Sequence, residues 1–253
     1  MSEPVTAILG LGREVGDSIA RRFSEQGHRV LAADPNPERL ATARSAMPDD
    51  VILHQGELHT RLGLRNAFTA AIEGFGRIDN AVVIPQLEEP DTLMDFSAEK
   101  FDKAMARSIR GSALALRVFA ERIIEQDDQP VAGVERLRQK GTVTFVLSYT
   151  AIASRPGIFS ESIAQGGVLD VMRAGAIELA DQAIRVNAIV AVRPREDKTE
   201  AWTSRRTPLG RTALADEIAD ACRFLASPEA AFITGEALKL DGGRSRLSGV
   251  IDD

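Results

Sequence analysis

The sequence predicts an α/β protein: a doubly wound parallel sheet of seven strands with helices on both faces. Three observations predict it. Short apolar runs alternate along the chain with stretches of helical period, the pattern of parallel strands joined by crossover helices. The run Thr142–Leu147 is nearly all apolar or β-branched, as a central parallel strand covered on both faces must be. Gly10, Gly12 and Gly16 directly follow the first apolar run and open a helix, which is half of a dinucleotide-binding unit of the Rossmann type.

Composition narrows the partners. The chain has 253 residues, 44% of them apolar, enough for one substantial core spanning residues 1–253. Its formal charge is −6 and no basic stripe appears, so neither nucleic acid nor an anionic membrane is the expected partner. Cys222 is the lone cysteine and sits in the helical run DEIADACRFLA, where it reads as a core thiol. No apolar run approaches the ~18 residues that span a bilayer. The start, MSEPVTAIL, lacks the form of a signal peptide, so a soluble cytoplasmic protein is expected.

Each element has a local justification. Val5–Leu9 is the first strand. Its helix has apolar positions at Val15, Ile19 and Phe23. The glycines of the turn let the backbone approach a pyrophosphate, the helix start offers free N–H groups, and the Arg13 cation can offset the Glu14 carboxylate beside it. The second strand, Arg29–Ala33, ends in Asp34. An acid about 20 residues after the turn accepts hydrogen bonds from ribose hydroxyls and repels a 2′-phosphate, which favours NAD over NADP. Glu38–Met47 reads as a helix, Val51–Leu53 as the third strand, and Leu62–Phe75 as the next helix. His54 and His59 lie in the intervening loop with no third ligand in view, so no metal site is expected. Ile78–Ile84 is the fourth strand. Phe96–Glu125 reads as one long helix with Phe101, Met105, Ile109, Leu116 and Phe119 on one stripe. Residues 126–140 are polar and read as a surface loop.

The fifth strand ends at Ser148, and ligands of open α/β sheets lie beyond the carboxyl ends of the strands. Thirteen residues on comes Glu161, and four later Gln165, on the same face of the following helix. That helix carries a buried stripe of Val168, Met172, Ala176 and Leu179. Ile184–Ile189 is the sixth strand. The stretch of about 193–207 is short and charged, and its Trp202 suits an interface anchor or a packed position alike.

This layout resembles the short-chain dehydrogenase/reductase family, whose members carry Ser, Tyr thirteen residues on, and Lys four beyond the Tyr. Ser148 keeps the first position; Glu161 and Gln165 hold the other two. The family's helix Asn falls on Ser108. Aligned on Gly10 and Gly16, the Gly-rich turn has Leu9 for the family's Thr and Glu14 for its middle Gly. The fourth strand ends in Val83-Ile84-Pro85-Gln86 where the family has Asn-Asn-Ala-Gly, and Ala191-Val192 replace a Pro-Gly. Glu57-Leu58 fall where the family has Asp-Val or Asp-Leu against adenine. By contrast Ile78-Asp79, Ile184-Arg185-Val186-Asn187, Pro208-Leu209-Gly210-Arg211 and Leu240-Asp241-Gly242-Gly243 match. The resemblance covers nearly the whole chain.

In the family Tyr is the acid/base, Lys lowers its pKa and holds the nicotinamide ribose, and Ser orients the carbonyl. Gln165 has no charge to supply for that. Tyr149, the only tyrosine, is expected to point to the sheet face opposite Ser148. The resemblance therefore implies weak or absent NAD binding and a non-catalytic subunit or scaffold pairing with an active paralogue. The alternatives are an NAD-dependent carbonyl/alcohol oxidoreductase using Ser148 and Glu161, and an NAD-responsive regulator or a redox-free lyase or isomerase using Glu161. A homo- or hetero-oligomer through the long helices and the last strand is expected.

Overall fold

The computed structural model of the chain describes residues 3–12, 14–86, 89–126, 129–130, 138–192 and 205–249. Seven strands form one parallel sheet: β1 (Val5–Leu9), β2 (Arg29–Asp34), β3 (Ile52–Gln55), β4 (Asn80–Val83), β5 (Gly141–Ser148), β6 (Ile184–Ala191) and β7 (Ala237–Leu240). Their spatial order is β3-β2-β1-β4-β5-β6-β7. The direction of winding reverses between β1 and β4, so a crevice opens there beyond the strand ends. Residues 129–130 and 138–139 pair as a short antiparallel ladder at the edge of the segment read as a loop.

Helices cover both faces. α1 (Val15–Glu25), α2 (Pro37–Arg44) and α7 (Ala215–Ala226) lie on one; α3 (Arg61–Phe75), α5 (Gly111–Ile124) and α6 (Phe159–Glu178) lie on the other. Strand alternation divides the core accordingly. Phe145 and Leu147 face α5 and α6, while Val146 joins Ile8, Ile189 and Cys222 under α1 and α7. The Cys222 thiol is fully buried, and burial pushes its pKa well above the usual thiol range. Among the described residues no helix is long and apolar enough to cross a membrane.

The helix read as continuous from Phe96 to Glu125 is not uniform. α4 (Ala98–Met105) passes through a π-helical turn, Ala106–Arg110, before α5 begins. The inserted residue rotates the buried stripe. Ala104 and Ser108 are buried ahead of Ala115, Leu116 and Phe119, whereas Phe101, Met105 and Ile109, expected on that stripe, are half-buried.

Polar residues lace the amino ends of the strands. Asn80 donates to Thr6 Oγ1 (3.3 Å) and accepts from Thr142 Oγ1 (2.8 Å), joining β1, β4 and β5. Asp79 accepts from the Val5 amide at 2.8 Å. Asn187 donates to the Ile233 carbonyl and accepts from the Glu236 amide. Arg185 donates to the Ile233 and Ser227 carbonyls, and burial pulls its pKa down to about 10. Of these, Asp79, Arg185 and Asn187 belong to the matched motifs Ile78-Asp79 and Ile184-Arg185-Val186-Asn187, and their bonds lie below the crevice.

Candidate active site

The Gly-rich turn follows β1 because its backbone must approach β4. Gly10 has φ +85°, and a Cβ there would lie 2.3 Å from the Ile84 carbonyl oxygen. A Cβ on Gly16 would meet Leu11 backbone atoms at 2.6 Å. Asp34, at the end of β2, is buried and accepts from the Leu11 amide (2.9 Å, Oδ2) and from the Asn36 amide (2.9 Å, Oδ1). Arg39 locks the turn from the α2 side, donating to the Gly12 carbonyl at 2.7 Å and pairing with Asp17. Burial raises the Asp17 pKa, and the Arg39 guanidinium opposes that rise. Gly12 and Glu14 are exposed at the mouth of α1, and Arg13 lies outside the described residues.

The Ser148 end of the crevice is built from β5 and the first turns of α6. Ser148 is half-buried, and its Oγ accepts from the Thr150 amide at 3.4 Å. Gln165 Oε1 accepts from the Ser148 amide at 3.0 Å. Glu161 Oε1 accepts from Thr150 Oγ1 at 3.1 Å. Glu161 and Gln165 are each 1% exposed, so the shared helix face expected from their spacing is the face turned into the protein. Gln165 Nε2 has no hydrogen-bond partner, and neither does Ser108 Oγ in the π-turn. Asp91 anchors the start of α6: its carboxylate accepts from the Ser160 amide at 2.9 Å and from the Ser160 hydroxyl.

Glu57 and Leu58 are placed less directly. A Glu57 carboxylate oxygen lies 3.2 Å from His59 Nδ1, and Leu58 is half-buried against the core under α3 and α5. His54 is half-buried, and burial lowers its pKa. Among the described residues no group of His, Cys, Asp or Glu could hold a metal ion. Trp202 and residues 193–204, in the short charged stretch that falls where the family resemblance implies a substrate loop, lie outside the described residues.

A family model described as enoyl-(acyl carrier protein) reductase matches residues 10–245, from the Gly-rich turn to the segment after β7. The chain belongs to the short-chain dehydrogenase/reductase family. It is 29% identical over 259 residues to 2-(R)-hydroxypropyl-CoM dehydrogenase of Xanthobacter autotrophicus, covering 96% of this chain and 99% of that protein. It is 24% identical to the 3-oxoacyl-[acyl-carrier-protein] reductase FabG of Thermotoga maritima, over 94% of this chain and 96% of that one. Among solved structures it resembles a 3-ketoacyl-(acyl-carrier-protein) reductase from Brucella melitensis complexed with NADH. The TM-score there is 0.84 at 28% identity, covering 96% of this chain and 99% of that chain. Relatives that match end to end thus carry dehydrogenase and reductase names. They support the oxidoreductase alternative better than the non-catalytic reading drawn from the altered tetrad.

The residues present fit a dinucleotide at the turn. Each Asp34 oxygen holds one backbone N–H and has a further lone pair for a ribose hydroxyl. The close packing of Gly10 and Gly16 keeps the backbone at the depth a pyrophosphate requires. Sequence reasoning missed three residues of this site: Thr150, Asp91 and Arg39. Asp91 and Arg39 act across 69 and 27 residues, separations at which no local pattern signals a contact.

Proposed function

We propose that this chain is an NAD-dependent oxidoreductase acting on a carbonyl/alcohol pair with a rebuilt proton-transfer group. One observation carries the reading. The buried Glu161 carboxylate is hydrogen-bonded to the Thr150 hydroxyl, two residues from Ser148 at the crevice. A carboxyl group exchanges protons, and a hydroxyl relays them. Gly10, Gly12, Gly16 and Asp34 would hold the nucleotide, with Asp34 selecting the 2′-hydroxyl form. A bound nicotinamide supplies the hydride chemistry. Ser148 Oγ hydrogen-bonds the substrate oxygen. In the reducing direction, the proton taken up by that oxygen comes from Glu161 by way of Thr150. Gln165 fixes the Ser148 amide and holds the strand end against α6.

The test is calorimetric titration with NADH and NAD⁺, followed by a screen of ketones and secondary alcohols for absorbance change at the nicotinamide band. Micromolar NADH binding with turnover is the expected result. Absence of binding at millimolar nucleotide overturns the reading.

A second reading, a non-catalytic partner subunit, is favoured by the exposed apolar residues of the C-terminal side. Phe232 is fully exposed and Ile177 is 79% exposed; Gly235 packs on Ala176, beside Ile177. That face suits an oligomer with itself or a paralogue. Light scattering of the wild type against Phe232→Ser tests whether it buries a partner.

A further inference from the structure

We propose that Asp91 is a positioning residue for Glu161: it caps α6 from the loop between β4 and α4, with Phe96 stacked on the same helix start, and so leaves the Glu161 carboxylate turned towards Thr150. The inference deepens the oxidoreductase reading and rests on it for the catalytic meaning of Glu161, while the placement of the carboxylate is tested without turnover.

The start of α6 needs a cap from outside. A helix leaves its first N–H groups without partners, and a side-chain oxygen at the N-cap normally takes one of them. The N-cap of α6 is Ile158, whose side chain has no oxygen to offer. Counted from it, Glu161 is the third helical residue. A Glu there commonly folds back onto the N–H groups of the helix start, where the helix dipole also draws a negative charge. Asp91 supplies acceptors at that place instead. Its carbonyl accepts from the Phe159 amide at 3.1 Å, and its carboxylate accepts from the Ser160 amide at 2.9 Å and from the Ser160 hydroxyl. Glu161 is turned inward: it is buried, and its Oε1 accepts from Thr150 Oγ1 at 3.1 Å.

Asp91 is itself held in place. Beside it, Asp95 accepts from both the amide and the hydroxyl of Thr92, and the Phe96 amide donates to the Thr92 carbonyl at 2.9 Å. That turn delivers Phe96 to the position before Ser97, whose Oγ caps α4 by accepting from the Lys100 amide at 3.2 Å. The Phe96 ring packs on Phe101 in α4 with centroids 5.7 Å apart, a hydrophobic staple that fixes how the chain enters that helix. The same ring lies 5.3 Å from that of Phe159, the first residue of α6, and Phe101 lies 6.3 Å from it. One loop thus grips the first turn of α6 twice, by a carboxylate and by a ring, just ahead of Glu161.

The test is NMR on the nucleotide-free chain with its glutamate carboxyl carbons labelled with ¹³C. The Glu161 signal is assigned by its loss in Glu161→Gln, and Thr150→Val shows where that signal moves once the hydroxyl is gone. Asp91→Ala is expected to move the Glu161 signal as Thr150→Val does. It is also expected to speed hydrogen exchange of the Ser160 amide roughly tenfold, the size of a lost hydrogen bond to a charged group. Asp91→Asn keeps an acceptor for that amide and is expected to restore both readings. Ser160→Ala removes only the hydroxyl contact; a smaller move in the same direction keeps the test sound if Asp91→Ala fails to fold. A Glu161 signal that stays in place in folded Asp91→Ala, or in Ser160→Ala where Asp91→Ala does not fold, overturns the proposal, as does failure of Asp91→Asn to restore it. On any ketone the wild type reduces, Asp91→Ala is expected to lower kcat roughly tenfold with KM and NADH affinity unchanged; an unchanged kcat overturns the proposal. A moved Glu161 signal in a protein that reduces no ketone counts against the oxidoreductase reading and leaves the positioning by Asp91 standing.

Discussion

At the scale of single residues, the site depends on how a few side chains are spent. Glu161 accepts from the hydroxyl of Thr150, two residues beyond Ser148. Replacing it with Gln keeps the shape and the acceptor for Thr150 but removes the exchangeable carboxyl proton. Under the proposed function Glu161→Gln lowers kcat by about a hundredfold or more, the usual worth of a positioned acid/base, with little change in NADH affinity. Stopped-flow and calorimetry separate the two. Glu14 lies exposed at the start of α1, where a pyrophosphate would sit. Glu14→Gly is expected to tighten NADH binding roughly tenfold at low salt, with the gain shrinking as salt screens the charge. His28 supplies a pH test. Its Nδ1 lies 2.9 Å from Thr6 Oγ1, its ring packs edge-on against Phe23, and burial holds its pKa below 6.5. The folded state therefore favours the neutral ring. That contribution is fully present above pH 6.5 and is lost as the pH falls through the folded-state value, because the unfolded chain takes the proton first. Urea midpoints should decline from pH 7 to about 5 in the wild type and less steeply in His28→Asn.

Elements show where sequence and structure part. The turn glycines, Asp34, Ser148 and the Glu161–Gln165 spacing are legible because each follows a periodic segment at a fixed offset. The π-turn at Ala106–Arg110 is not legible, since apolar residues flank it in phase with an ordinary helix and only the backbone reveals the extra residue. The seating of α6 by Asp91 is equally hidden, because the carboxylate comes from a loop far upstream. Close packing between elements gives a sharper prediction. A Cβ at Gly141 would stand 2.1 Å from Ile123 Cδ1 and 2.6 Å from the Asp79 carbonyl oxygen, so β5 itself must move. A Cβ at Gly175 would meet the tip of Leu116, which can rotate away. Gly141→Ala should cost about 2–3 kcal/mol and Gly175→Ala distinctly less, measured by urea unfolding. Equal losses would show that β5 yields as easily as a leucine tip.

The whole molecule divides by height along the strands. What the sequence shares with the family in strands four and six lies low: Asp79, Arg185 and Asn187 join β1 and the approach to β7. The departures lie high, at Glu14, Ile84, Glu161, Gln165 and Ala191-Val192. This explains why the fold could be read so fully and the chemistry only in part: packing constraints are written at one end of the sheet and chemistry at the other. Asn187→Ala is therefore expected to lower the thermal midpoint without altering nucleotide affinity. Differential scanning calorimetry with and without NADH reads both.

The low buckle formed by Arg185 and Asn187 has a consequence for tinkering with this protein. It secures β6 to the approach of β7 without help from the loops above it. The upper loops can then be exchanged like the bit of a drill, one set from a relative at a time, while the shaft stays the same.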